Sequence, residues 1–136
     1  MPGAGYSGTP ILKKLGIQPA TKLMVVNAPE NYFQLLETDV SDQVAGKSDV
    51  PDVVHLFVKS NKEFEAGMKK LEPLLAKNRN LVIWVSWYKK SAGIATDVTE
   101  DVIRNYALAR DLVDVKVCAV SEIWSGLKLV IRKDRR

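Results

Sequence analysis

The side chains best suited to chemistry in this sequence fall in two stretches. Trp87, Lys89, Lys90, Thr96 and Asp97 lie in one, and Trp124 with Ser125 in the other. Indole faces stack on flat groups, and ammonium groups hold anions. The combination points to binding a flat or anionic ligand. Asn27 joins the set because it ends an apolar run, Leu23-Met24-Val25-Val26, where a strand would hand over to a loop. Used catalytically, Lys89 or Lys90 would be an electrostatic group and Asp97 a base. A lysine base would need its pKa lowered by burial, which crowding of the two lysines would assist. No residue is assigned a catalytic role on this reading.

Other chemistries find less material. His55 is the only histidine and Cys118 the only cysteine, so neither a histidine cluster nor a cysteine cluster is available to a metal, and no internal disulfide can form. No metal site is expected. His55 falls inside Val53-Val54-His55-Leu56-Phe57-Val58, where a hydrogen-bonded core role is the simplest one. A serine–histidine–acid relay would need a serine and an acid in mid-sheet. Cys118 also falls in mid-strand and reads as an inert buried thiol. Ser86-Trp87-Tyr88-Lys89 matches the Ser-x-x-Lys pattern of penicillin-recognising acyl enzymes. That chemistry places serine and lysine one helical turn apart, whereas residues three apart on a strand point to opposite faces. The match is one of letters only.

The chain has 136 residues, enough for one domain with a real core. No stretch is long and uncharged enough to span a bilayer, and Met1 to Thr9 lacks the apolar run of an export signal. With a lone cysteine, a cytoplasmic location is the plain expectation. The net charge of +4 resides in the last nine residues, where Lys128, Arg132, Lys133, Arg135 and Arg136 oppose Asp134. A basic tail is not the broad basic face of a nucleic-acid binder, so nucleic acid is disfavoured as a partner, as is a membrane. Residues 1–8 and 133–136 are expected to fray.

The elements that must position these residues follow from periodicity. Thr9-Pro10 starts a helix that Gly16 closes. Lys22–Asn27, Asp52–Val58 and Leu81–Trp87 read as strands, the second apolar on both faces as in a covered parallel sheet. Helices are expected over Glu30–Glu37, from Asn61 with an interruption at Pro73, and from Thr99. Leu112–Val120 and Leu127–Arg132 make a hairpin around Ser121–Gly126, and Gln43–Gly46 is a weak edge strand.

This order predicts one α/β domain of three layers: a mostly parallel sheet, helices on both faces, and a C-terminal antiparallel hairpin. The closing hairpin resembles the end of the Rossmann-like methyltransferase fold, shortened here by a strand–helix unit. That resemblance implies a sheet order of weak strand, Lys22 strand, Asp52 strand, Leu81 strand, Leu127 strand, Leu112 strand. Ligands of open α/β sheets bind beyond the carboxyl ends of the strands. That edge collects Asn27–Glu30, Lys59–Asn61, Trp87–Asp97 and Ser121–Gly126. The loop after the first strand, Val26-Asn27-Ala28-Pro29-Glu30, lacks the glycines that let a cofactor approach, and Pro29 removes a donor. S-adenosylmethionine is therefore disfavoured and no cofactor is expected.

Three stretches together resemble the small bacterial proteins catalogued as domain of unknown function 3052: Gly5-Tyr6-Ser7-Gly8-Thr9-Pro10 with Lys13-Lys14-Leu15-Gly16-Ile17, Asp52-Val53-Val54-His55-Leu56-Phe57, and Asp114-Val115-Lys116-Val117-Cys118 through Trp124-Ser125-Gly126-Leu127-Lys128-Leu129-Val130. The likeness runs over nearly the whole chain and implies a stand-alone bacterial cytoplasmic protein, with no catalytic residues to carry over. The expected function is a non-catalytic ligand-binding or regulatory domain on a degenerate methyltransferase-like scaffold, its partner a small molecule or a protein. An enzyme with a non-standard site and a homo-oligomer pairing through an edge strand are the alternatives.

Overall fold

Each apolar run must bury two faces, and the layers follow from which side chains alternate where. The computed structural model describes residues 11–46 and 49–136. Its sheet comprises β1 (Leu23–Val26), β2 (Val53–Phe57), β3 (Val82–Tyr88), β4 (Leu112–Ala119) and β5 (Trp124–Ile131), in the order β1-β2-β3-β5-β4. The pairs β1·β2 and β2·β3 are parallel, and β5 inserts antiparallel between β3 and β4. The expected sheet order therefore holds for all five strands. The weak edge strand reduces to one parallel bridge, Leu23 to Val44, with Ala45 N donating to Leu23 O at 2.8 Å. Within the expected edge strand, Gln43 is instead the last residue of a short 3-10 turn, Ser41–Gln43.

One sheet face carries Val54, Leu56, Ile83, Val85, Trp87, Leu127 and Leu129. Two helices cover it, α3 (Asn61–Lys77) through Phe64, Met68 and Leu71, and α4 (Glu100–Leu108) through Ile103 and Ala107. The opposite face carries Val53, Phe57, Trp84 and Trp124 under α1 (Ile11–Leu15) and α2 (Tyr32–Leu36). Helix starts follow side-chain chemistry: Ser60 Oγ accepts from Glu63 N and Thr99 Oγ1 from Val102 N. Glu63 Oε1 in turn accepts from Lys59 N at 2.8 Å, a close variant of the reciprocal capping box.

Several details depart from expectation. Thr9 and Pro10 lie outside the described residues, and α1 is seen from Ile11 to Leu15, with Gly16 left-handed at φ +75°. Pro73 does not interrupt α3, which runs on to Lys77. A proline in mid-helix forfeits one backbone hydrogen bond, and the packing of Phe64, Met68 and Leu71 outweighs it. The hairpin turn is shorter than expected: Trp124, Ser125 and Gly126 belong to β5, leaving Val120–Ile123 as the turn. The basic tail, expected to fray, is pinned. Arg132 N donates to Asp111 O at 2.9 Å, Arg136 Nε to Ile131 O at 2.8 Å, and Arg79 to Arg135 O. Residues 1–8 lie outside the described residues.

Candidate functional site

The carboxyl ends of β1, β2 and β3 and the β4–β5 turn meet at one edge of the sheet. Asn27 ends β1 in the left-handed conformation, φ +58°, so the chain turns sharply there without a glycine. Asparagine is the residue that tolerates this best after glycine. Across from it, Ser121 Oγ accepts from both Ile123 N and Trp124 N at 3.1 Å, which closes the hairpin turn. Lys89 N donates to Ile123 O at 2.8 Å and ties the end of β3 to that turn.

Two recesses result. The first, about 270 Å³, is lined by Asn27, Pro29, Lys59, Tyr88, Ile94 and Trp124, among others. The second is an open groove of about 900 Å³ whose walls include Trp87, Lys89, Lys90, Thr96 and Ser125. Tyr88 and Ile94 line both and form the ridge between them.

The expected site residues are thus divided. Asn27 and Trp124 share the smaller recess, whereas Trp87, Lys89, Lys90, Thr96 and Ser125 share the groove. Trp87 and Trp124 do not come together. Trp87 pairs with Ser125 in register and packs into the α3/α4 side, while Trp124 pairs with Tyr88 and packs into the α1/α2 side. Once Trp124 and Ser125 are strand residues, adjacent positions must face opposite ways. Both indoles are largely buried, Trp87 at 7% exposure and Trp124 at 6%.

Thr96 and Asp97 act as fasteners. Thr96 Oγ1 donates to Lys59 O at 2.8 Å, and Asp97 Oδ1 accepts from Asn61 N, the first turn of α3, at 2.8 Å. They hold the β3–α4 loop against the β2–α3 loop. Asp97 is absent from the lining of either recess.

Sequence reasoning places Tyr88 and Lys59 in the edge loops but does not single them out as site residues. Tyr88 stacks on Trp124 with ring centroids 4.5 Å apart and planes inclined by 23°. Trp124 in turn meets the edge of Phe57 at 4.9 Å, and Phe57 stacks on His55 at 4.3 Å. A signal existed in the sequence. Strand β3 extended by one residue puts Tyr88 on the face opposite Trp87, the side that Trp124 occupies.

Beneath this stack, His55 bridges two hydroxyls. Its Nδ1 lies 2.9 Å from Tyr32 Oη and its Nε2 2.7 Å from Ser86 Oγ. The histidine expected to be a hydrogen-bonded core residue is one. Burial holds its pKa down at about 3, so the ring is neutral and one nitrogen donates while the other accepts. Burial also raises the Tyr32 hydroxyl well above its ordinary value. Ser86 supplies the serine of a relay, but a tyrosine stands where an acid would, and His55 and Ser86 are fully buried. Cys118 is half-buried, and burial pushes its thiol up. Among the described residues no group of three or more His, Cys, Asp or Glu side chains could hold a metal ion. No helix there is long and apolar enough to cross a membrane.

No family model matches the chain, and no curated protein matches it. A solved structure does: a Streptococcus agalactiae protein described as belonging to the NADB-Rossmann superfamily. It is 11% identical, with a TM-score of 0.52, over 95% of this chain and 71% of that one. This chain has a Rossmann-like fold. At that identity the likeness concerns architecture alone. The residues after β1 do not fit the dinucleotide or S-adenosylmethionine mode of that architecture. That mode needs free backbone N–H groups at the start of a long helix. Here Pro29 has none, Tyr32 N is already bonded to Pro29 O at 3.1 Å, and α2 is only five residues long.

Proposed function

We propose that this chain is a non-catalytic ligand-binding or regulatory domain, a shortened methyltransferase-like scaffold that takes a small flat anion at its carboxyl edge. One observation carries the reading: the stacked Tyr88–Trp124 pair forms the wall of a recess that also holds Lys59 and Asn27. An aromatic pair already stacked loses little freedom on accepting a third ring, and a lysine ammonium at its rim selects negative charge. The lysine groove beside it would take a longer ligand's remainder. A small cytoplasmic bacterial protein, as the resemblance to domain of unknown function 3052 implies, is part of the same reading, although no family model matches the chain. The enzyme reading has less support, because the carboxylate it would use as a base, Asp97, is tied to the backbone of Asn61.

Thermal unfolding with adenine nucleotides, S-adenosylmethionine and its demethylated product tests the proposal. A ligand at about 100 times its Kd adds about 2.7 kcal/mol, which moves a domain of this size by several degrees. The shift should shrink in Tyr88→Ala and Lys59→Ala. A full shift retained in both variants would place the ligand elsewhere, and a clear shift with S-adenosylmethionine would overturn the reading of the Asn27-Ala28-Pro29 loop and make methyl transfer the leading function.

A further inference from the structure

We propose that a second binding site lies at the opposite edge of the sheet, between the C-terminal ends of α3 and α4, and that it takes a small organic carboxylate with an apolar body. The cavity there has a volume of about 250 Å³, room for a ligand of modest size. Met68, Leu75, Leu112 and Ile131 give it an apolar lining, and Arg79 and Arg110 bring two guanidinium groups to the same walls.

Those two arginines are held but not neutralised. Arg110 lies over the Tyr106 ring, its Cζ 3.5 Å from the ring centroid, and its Nη1 donates to Tyr106 O at 3.2 Å. Arg79 donates to Arg135 O. Among the described residues neither arginine pairs with a carboxylate. Of the two acids on the walls, Asp111 is engaged by Arg135 at 3.6 Å, and Glu72 pairs with no cation among the described residues. The balance of unpaired charge is positive, which favours an anionic guest. Guanidinium groups already oriented by backbone carbonyls and a ring face lose little freedom on gripping a carboxylate.

Two further features mark the place. Asp111, on the wall, holds the left-handed conformation at φ +63°, which aspartate tolerates better than most non-glycine residues. Tyr106 carries a buried hydroxyl with no well-formed hydrogen bond among the described residues, although the Arg110 guanidinium lies close enough to bear on it. The pinned C-terminal turn borders the site through the Arg79–Arg135 and Asp111–Arg135 contacts, so a guest there would bear on the tail as well as on both helices.

Octanoate is the probe, with octanol as its uncharged counterpart, and methyl NMR shifts of the intact chain report the location. Octanoate should shift the methyls of Leu75, Leu112 and Ile131 and bind about tenfold tighter than octanol, the worth of a charge-assisted contact. Arg110→Gln and, separately, Arg79→Gln should bring octanoate close to octanol while leaving octanol unchanged. Two arginine variants guard against one that misfolds. Equal affinity for the two probes, shifts centred on Tyr88 and Trp124, or no shift up to the solubility limit would each overturn the proposal. None of these outcomes depends on the ligand of the carboxyl-edge recess.

Discussion

His55 Nε2 lies 2.7 Å from Ser86 Oγ across two adjacent parallel strands, while Tyr32 Oη closes on the other ring nitrogen at 2.9 Å. The imidazole is sealed among Tyr32, Phe57 and the sheet, and its pKa falls from 6.5 to about 3. The unfolded chain therefore binds a proton between these values that the folded chain does not. Stability should be level above pH 6.5 and decline below it, with this group contributing up to about 1.4 kcal/mol per pH unit. Urea unfolding just below pH 6.5, above the range where carboxylates titrate, isolates the effect. His55→Gln keeps a donor and an acceptor but cannot titrate, so its stability should stay flat there. Parallel profiles for the two proteins would show that His55 is not the acid-sensitive group.

Gly126 is required by close approach. A Cβ there would sit 3.0 Å from Val120 Cγ2 and 3.3 Å from Trp84 Cε3. Trp84 cannot yield easily, since it is fully buried and its indole N–H donates to Leu15 O at 2.9 Å. Gly126→Ala should destabilise the fold by about 1–2 kcal/mol, overpacking being offset in part by the lost entropy cost of glycine. Denaturant unfolding measures the loss, and near-ultraviolet circular dichroism should report a displaced Trp84. A neutral or stabilising result would mean that Val120 moves aside freely.

The fasteners of the β3–α4 loop make a dynamic prediction. Thr96→Val removes the bond to Lys59 O, and Asp97→Ala frees Asn61 N at the start of α3. The double variant should lose about 1–2 kcal/mol, comparable to a helix cap. Amide exchange over residues 89–98 should rise more than in β2 or β3. Uniform acceleration across the chain would indicate global destabilisation instead of a released loop.

Much of the architecture is legible in the order of the residues. The runs Leu23–Val26, Val53–Phe57 and Val82–Tyr88 are apolar on both faces but for His55 and Ser86, because both faces are covered, and that pattern survives in the sequence as near-continuous hydrophobicity. Thr99 with Glu100 and Asp101 marks the start of α4, because capping depends on a hydroxyl and on local charge. The sheet edge that gathers the loops follows from chain order alone.

What the sequence by itself determined was this set of local preferences: which runs are strands, where helices begin, and that His55 sits in mid-strand. Tertiary structure alone decided who meets whom. The end of the hairpin turn put Trp124 and Ser125 on opposite faces, separated Trp124 from Trp87, and gave it Tyr88 as a stacking partner. The pairing of β2 with β3 brought Ser86 to His55, and the packing of α1 brought the Leu15 carbonyl to Trp84 across 69 positions. Side-chain alternation has a period of two, so a boundary shift of one residue reverses every contact on a strand. Local chemistry sets a boundary only to within a residue or two, and long-range register fixes the remainder.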